Sequence, residues 1–136
     1  MDSSSIVKLY VDEPGHHATR EASSRADRVL TSLVAYPEVR AAFAAKRRNR
    51  EFSERGLARL VMDFETDWPR FYSLELSVTV ALTAGGLAQS YALSGLDSIH
   101  LATAMALREV SPDTVELSTF DDRLRRAALA EGFVVV

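Results

Sequence analysis

The sequence predicts a single α/β domain of three layers, in which helices cover both faces of a short parallel sheet. Short β-rich runs alternate with apolar stretches at helical spacing. These stretches reach the roughly ten or more residues that a right-handed crossover between parallel strands requires. The 136 residues suffice for one hydrophobic core and not for two. We therefore treat residues 1–136 as one domain.

The chain opens unusually for this class. Ser3–Tyr10 reads as a short amphipathic helix, and only Met1 and Asp2 precede it. Because an α/β sheet normally opens with a strand that becomes central, we expect the first strand to be missing or truncated. Our hypothesis is that the true start lies upstream or that the chain is trimmed.

The remaining elements follow from the apolar pattern. The predicted strands are Val29–Thr31, Phe71–Leu76, Val115–Thr119 and Phe133–Val136. The predicted helices are Leu33–Arg48, Phe52–Asp67, Val78–Tyr91, Ser98–Arg108 and Phe120–Glu131. Gly132 ends the last helix. Ligands of such sheets bind beyond the carboxyl ends of the strands, so strand ends and first helical turns hold the candidate functional residues.

Composition excludes several classes of function. The chain has no cysteine, which excludes disulfide frameworks, thiolate metal sites and cysteine nucleophiles. No apolar run approaches the roughly 20 residues of a membrane span, and no secretion signal is visible, so we expect a cytoplasmic protein. The net charge of −3 repels phosphate, so any nucleic-acid contact requires a local basic patch or bound cations.

Acidic residues stand where strands give way to helices. Thr119 and Asp122 have capping-box spacing, which leaves Asp121 in the first turn without a capping role. Asp121 then either complements the helix dipole or faces a site. Asp97 begins another helix, as an N-cap or as a ligand. His100 lies on the same helix face as Asp97. It therefore either hydrogen-bonds Asp97 and fixes that carboxylate, or is an interior histidine, or binds a metal directly.

Two further acids complete the set. Glu38 has only small side chains around it at the edge of a buried helical stripe, where it either reaches water or admits a partner. Asp2 by itself is an N-cap candidate. Asp2, Glu38, Asp97 and Asp121 all begin helices that a parallel sheet would bring to one edge.

Such a convergence has an electrostatic consequence. Carboxylates about 6 Å apart repel by about 3 kcal/mol per pair at an effective dielectric near 20. Either some of the four bind protons, or a divalent cation holds them, and oxygen-only donors favour Mg²⁺ or Mn²⁺. A site of this kind suits phosphodiester hydrolysis, because the metal activates water and stabilises the leaving oxygen.

The same segments resemble a known family over essentially the whole chain. The sequences that carry the resemblance are Asp2-Ser-Ser-Ser with Ile6-Val-Lys-Leu-Tyr-Val-Asp-Glu-Pro, Tyr36-Pro-Glu-Val-Arg, Leu96-Asp-Ser-Ile-His-Leu-Ala-Thr-Ala and Ser118-Thr-Phe-Asp-Asp-Arg-Leu. In this order they resemble a PIN domain of the VapC toxin type. The resemblance implies a Mg²⁺- or Mn²⁺-dependent endoribonuclease, often a homodimer, that a VapB-like antitoxin inhibits.

The resemblance also implies roles for individual residues. Asp2, Glu38, Asp97 and Asp121 match the acidic quartet of the family, while Ser4 and Thr119 match hydroxyl residues that orient carboxylates or water. The missing strand before Asp2 departs from the family pattern. We therefore expect the sheet to lack its centre and Asp2 to lie on a fraying terminus.

Basic residues offer candidate contacts with RNA or with the antitoxin. Lys46, Arg47, Arg48 and Arg50 end one helix, where they also complement its dipole or are simply solvated. Arg123 follows Asp121 closely and either steers phosphate or is solvated. His16 and His17 follow Pro14 and Gly15, and we expect them in a loop.

Two other functions fit less of the sequence. A defective PIN-like module would only bind an antitoxin or nucleic acid, and it would lose nothing on substitution of Asp97 by Asn. A phosphoaspartyl transferase would need an Asp-x-Asp after the first strand and a lysine at a later strand end, and the segments at Asp2 and Asp121 offer neither.

Overall fold

A computed structural model describes residues 1–136. The seven helices are α1 (Ser3–Tyr10), α2 (His16–Arg25), α3 (Ala35–Arg48), α4 (Glu54–Asp67), α5 (Val78–Tyr91), α6 (Gly95–Val110) and α7 (Asp122–Ala130). The four strands are β1 (Leu30–Ser32), β2 (Tyr72–Leu74), β3 (Glu116–Leu117) and β4 (Val134–Val135). A 3₁₀ turn over Trp68–Arg70 follows α4. The helix-rich α/β class and the parallel pairing of short strands are as predicted.

The strands form two separate parallel pairs and not one continuous sheet. β1 pairs with β2, and Leu30 lies opposite Tyr72. β3 pairs with β4, and Glu116 lies opposite Val134. No strand precedes α1. The expected loss of the sheet centre is therefore present in the structure, as a gap between β1 and β3.

Met1 and Asp2 occupy one end of this gap. The Met1 amine donates to the Leu30 carbonyl at 2.8 Å on the β1 side. The Asp2 amide donates to the Ser118 carbonyl at 3.1 Å on the β3 side. These two residues thus connect the two strand pairs and fix the point from which α1 departs.

The hydrophobic core divides along the same line. One cluster of buried apolar side chains lies beside β3 and β4 and is contributed mainly by α5, α6 and α7. The other cluster belongs to α1, α3 and α4 and includes the mutually edge-on rings of Phe43 and Phe64. α6 also contacts β1, so this helix joins the two halves of the domain. None of the helices has the length and the apolar character needed to cross a bilayer.

One helix was not predicted. α2 begins at His16, so the expectation that His16 and His17 lie in a loop is wrong. Thr19 is the only buried residue of this helix, and the helix has no apolar stripe that a sequence pattern would show. A hydrogen bond between His16 Nδ1 and the Lys8 carbonyl oxygen at 2.6 Å ties its first turn to α1. Tertiary contacts therefore hold α2 in place.

Candidate active site

The four predicted acids all lie at the beginnings of helices. Asp2 is the N-cap of α1, and Asp121 is the N-cap of α7. Glu38 and Asp97 lie in the first turns of α3 and α6. α3 and α7 follow the carboxyl ends of β1 and β3, and α1 leaves the gap between those strands. The topology therefore assigns Asp2, Glu38 and Asp121 to the strand-end edge, where ligands of parallel sheets bind. Asp97 begins α6, which follows α5 and not a strand.

Asp2 is rigidly held, and the expectation that it lies on a fraying terminus is wrong. Its residue is only 3% exposed. Its carboxylate accepts hydrogen bonds from the Ser5 amide at 2.9 Å and from the Ser4 hydroxyl, which lies 2.9 Å from both oxygens. The cap of α1 and the main-chain bonds of Met1 and Asp2 replace the support that a preceding strand would give.

Thr119 links two of the acids. Its hydroxyl donates to Asp2 Oδ2 at 2.6 Å and accepts from the Asp121 amide at 3.1 Å. Thr119 is buried, so this link is shielded from water. The resemblance implied that Ser4 and Thr119 orient carboxylates or water. In the structure both hydroxyls donate to the Asp2 carboxylate.

The predicted capping box of α7 is wrong. Asp121, and not Thr119, caps the helix, because Asp121 Oδ1 accepts from the amides of Arg123 and Leu124 at 2.9 and 2.8 Å. Asp122 is exposed and makes no side-chain hydrogen bond within the protein. Thr119 is unavailable as a cap because its hydroxyl is directed to Asp2 across the gap between strands.

Glu38 and His100 form the second link. His100 Nε2 lies 2.8 Å from Glu38 Oε2, and the histidine side chain is buried. The expectation that His100 bonds Asp97 is therefore wrong, because its ring bonds the Glu38 carboxylate instead. His100 does share a helix face with Asp97, but the buried ring meets α3 instead. Asp2 and His100 also line one cavity.

Ser94 fixes Asp97 and was missed in the sequence analysis. It is the N-cap of α6, where its hydroxyl accepts from the Asp97 amide at 3.1 Å and lies 2.5 Å from Asp97 Oδ2. The Ser-x-x-Asp spacing is the signal that would have found it. Asp97 is thus not the N-cap and remains partly accessible.

Three of the acids keep one carboxylate oxygen free. Glu38, Asp97 and Asp121 each use one oxygen within the protein, and their second oxygens accept no hydrogen bond from it. Oxygen donors of this kind suit Mg²⁺ or Mn²⁺. No group of three or more His, Asp or Glu side chains lies close enough as it stands to hold one ion. A shared metal site therefore stays a prediction, supported by donor chemistry and not by an assembled cluster.

The basic cluster lies far from this edge. Glu38 and Arg48 stand at opposite ends of α3, about 15 Å apart along the helix axis. Lys46 forms ion pairs with Glu13 at 2.5 Å and Glu51 at 3.1 Å, and Arg47 pairs with Glu54. The side chains of Arg48, Arg50 and Arg123 make no ion pair within the protein. These three arginines are therefore the better candidates for contacts with phosphate.

Comparisons with known proteins agree with this fold. The family model of the PIN domain matches residues 1–129. Ribonuclease VapC45 of Mycobacterium tuberculosis (strain CDC 1551 / Oshkosh) is 40% identical over 131 residues, which cover 96% of this chain and 89% of that protein. Ribonuclease VapC46 of M. tuberculosis (strain ATCC 25618 / H37Rv) is 36% identical over 137 residues, covering 100% and 94%.

A solved structure shows the same fold. A chain of a toxin-antitoxin complex from Klebsiella pneumoniae aligns with a TM-score of 0.59 and 22% identity, covering 88% of this chain and 83% of that one. The fold, the acids at the helix starts and the match over residues 1–129 define a PIN-domain protein. This chain belongs to the PIN domain family and, within it, groups with the VapC ribonucleases.

Proposed function

We propose that this protein is a Mg²⁺-dependent endoribonuclease, the toxin of a toxin-antitoxin pair. The observation that carries the proposal is the pair of links that hold three of the acids, Thr119 between Asp2 and Asp121 and His100 on Glu38. Curated relatives at 40% and 36% identity are named ribonucleases, which supports the same activity here. RNA as substrate also agrees with the expected cytoplasmic location.

Some side chains hold the acids by hydrogen bonds, and the acids themselves present free carboxylate oxygens. Ser4, Ser5 and Thr119 hold Asp2, while His100 holds Glu38 and Ser94 holds Asp97. Each of Glu38, Asp97 and Asp121 presents a free oxygen, and these oxygens together with Asp2 would hold Mg²⁺ or Mn²⁺. Such an ion, when bound, lowers the pKa of water and offsets the charge of the phosphate. Arg123, exposed at the start of α7, would attract the RNA backbone toward Asp121.

Cleavage of a mixed RNA pool tests the proposal. We expect cleavage with Mg²⁺, none with a chelator, and a loss of at least about 100-fold in Asp97→Asn, which keeps the hydrogen bond to Ser94 and removes a charge. Asp122→Asn is the matched control, because Asp122 is exposed and makes no side-chain hydrogen bond. Cleavage that persists in chelator or in Asp97→Asn would contradict the proposal.

The alternative is a PIN-like module that only binds an antitoxin or nucleic acid. The absence of an assembled metal cluster is the observation that favours it. The same experiment separates the two functions: an inactive wild-type protein that still binds its partner, with Asp97→Asn unchanged in binding, supports the module.

We further propose an antitoxin partner. The structural neighbour comes from a toxin-antitoxin complex. A cavity of about 520 Å³ is lined by Arg47, Arg48 and Arg50 together with Glu51 and Glu54, and its unpaired Arg48 and Arg50 would contact an acidic segment of a VapB-like protein. The distance of this surface from the acids means that an antitoxin bound there must also extend to the site to block it.

We propose that the protein forms a homodimer through the exposed apolar face of α5. This helix has no charged residue, yet Val78 and Leu82 are 77% and 74% exposed. Apolar helices without a charged face are normally buried. A second copy presenting the same uncharged face would cover it through a two-fold interface.

A further inference from the structure

Phe120 is an exposed aromatic residue within the candidate active site. It lies between Thr119 and Asp121 in the chain, and it is 42% exposed. A single exposed apolar side chain is ordinary on a protein surface, but the main chain of this one belongs to the hydrogen-bonded frame of the acids. The Phe120 amide donates to the Ser4 hydroxyl oxygen at 2.9 Å, and the same hydroxyl donates to the Asp2 carboxylate. Phe120 therefore has a fixed position relative to both acids.

Two neighbours restrict the ring itself. The Lys8 amine lies over the ring, 4.6 Å from its centroid, and an ion pair with Glu13 at 2.6 Å holds that amine in place. Gly15 lies against the Cε1–Cζ edge of the ring, so closely that a Cβ on this residue would clash with both atoms. Gly15 also has a φ of +99°, which favours glycine. The cation closes one face of the ring and the glycine one edge, which leaves the opposite face for a ligand.

The surroundings of the ring favour a nucleobase as that ligand. The nearest side chains in the chain and in space are polar or charged, namely Ser4, Lys8, Thr119 and Asp121. A protein partner would need an apolar patch around the ring, as in the core of an interface. A nucleobase needs only a flat aromatic face. Since the face of a base is accessible only where the base is unpaired, the matching ligand is single-stranded RNA.

We propose that the free face of Phe120 stacks on an unpaired base of the RNA substrate and so places the neighbouring phosphodiester beside Asp121. The proposal rests on the nuclease function proposed above. Because the stacked base is held equally in the bound state and in the transition state, loss of the ring should raise KM and leave kcat unchanged. Stacking tolerates every base but is stronger for larger ones, so we expect a purine at this position to bind more tightly.

The first experiment locates the stacked base. It uses the full chain with Asp97→Asn and Mg²⁺, which should bind RNA without cutting it. The probe is a short single-stranded RNA in which 2-aminopurine replaces one base at a time, because the fluorescence of 2-aminopurine falls when it stacks on a ring. We expect binding to lower the fluorescence at one position by at least about twofold.

The second experiment removes the aromatic face. Phe120→Leu keeps an apolar side chain against Gly15. We expect it to weaken RNA binding about tenfold and to abolish the fluorescence loss, and, with Asp97 intact, to raise KM about tenfold at constant kcat. Tyr72→Leu is the matched control, because Tyr72 is 63% exposed and lies beside Arg28 at the start of β2. This control should change none of these quantities.

A third comparison separates stacking from a structural role of the ring. The RNA now carries an abasic nucleotide at the position that the scan identifies. Chains with Phe120 and with Phe120→Leu should bind it equally, because no base is left to stack. A ring needed only for folding would weaken the binding of intact and abasic RNA to the same extent. Phe120→Met replaces Phe120→Leu if circular dichroism shows that the leucine variant does not fold.

Three results would overturn the proposal. They are a scan in which no position loses fluorescence, equal weakening of intact and abasic RNA, and unchanged RNA binding and KM in Phe120→Leu, as expected if a protein partner covers the ring. Cleavage by the wild type with an unchanged KM in Phe120→Leu would exclude the stacked base and leave the nuclease function standing. RNA binding that depends on Phe120, in a wild type that never cleaves, would support the stacked base and contradict the nuclease function.

Discussion

The Thr119 hydroxyl lies 2.6 Å from Asp2 Oδ2, although 117 positions separate the two residues in the chain. Because the same hydroxyl accepts from the Asp121 amide, it defines the relative placement of the first and last acids. The buried hydroxyl also donates one of the hydrogen bonds that compensate the burial of the Asp2 carboxylate.

Removal of this hydroxyl should affect both stability and activity. Thr119→Val keeps the shape of the side chain but takes a hydrogen bond from a buried carboxylate, so we expect a loss of about 1–3 kcal/mol in the free energy of unfolding. RNA cleavage should fall together with it. Thr119→Ser keeps the hydroxyl and is the control. Urea unfolding of the three proteins measures the effect, and a Thr119→Val protein as stable as the wild type would show that the link contributes nothing.

His100 should act through Glu38. His100→Leu removes the hydrogen bond to the carboxylate, and loss of such an orienting partner typically costs about 10–100-fold in activity or metal affinity. We expect His100→Gln to recover much of the rate, because its amide can donate to Glu38. Single-turnover cleavage with varied Mg²⁺ measures both quantities. Equal rates for the Leu and Gln variants would mean that His100 contributes only packing.

Glu13 should give the stability a defined pH dependence. Burial acts to raise its pKa, but hydrogen bonds from Lys46 and Lys8 outweigh this effect and lower the pKa below its ordinary value. The carboxylate therefore contributes stability that is present above the unfolded pKa of about 4.3 and is lost as the pH falls through the lower folded value. We expect Glu13→Gln to cost about 1 kcal/mol at pH 7.

Unfolding at several pH values checks this sign. The difference in stability between wild type and Glu13→Gln should stay constant from pH 8 to pH 6 and shrink below about pH 4.3. Glu21→Gln, at an exposed residue of α2 that makes no ion pair, serves as the control. A difference that grows on acidification would contradict the account.

The exposed face of α5 should determine the oligomeric state. Leu82→Lys places a charge where the proposed two-fold contact would bury it, so we expect a monomer at concentrations at which the wild type is a dimer. Met62→Lys is the matched control, since Met62 is also apolar and largely exposed but lies on α4. Light scattering after size exclusion distinguishes the two states. A monomeric wild type, or a dimer in Leu82→Lys, would contradict the proposal.

Local pattern predicted most of the fold. The apolar spacing that defines α3 to α7 is strong, and the short β-rich runs located all four strands. α2 was missed because only Thr19 in it is buried. The division of the sheet into two strand pairs agrees with the expectation that the sheet lacks its central strand. The connection of the two halves through Met1 and Asp2 depends on main-chain bonds to Leu30 and Ser118, which a sequence pattern does not reveal.

The helix-start positions of the acids were predicted better than their hydrogen-bond partners, and their convergence on one ion stays a prediction. The positions of Glu38 and Asp121 at helix starts followed from the strand–helix order, whereas Asp97 begins a helix that follows another helix. The partners of His100 and Thr119 are set by which helices pack together, so the expected bond to Asp97 and the expected cap of α7 were wrong. Lys46 was proposed for contacts outside the chain, but Glu13 and Glu51 already neutralise it.

The central claim is that the four acids share a divalent cation, and a titration with Mn²⁺ followed by electron paramagnetic resonance tests it most directly. The account predicts that the wild type and Asp122→Asn bind Mn²⁺ alike, and that Asp97→Asn and Glu38→Gln each weaken binding at least about tenfold. Mn²⁺ affinities that are equal in all four proteins would contradict it.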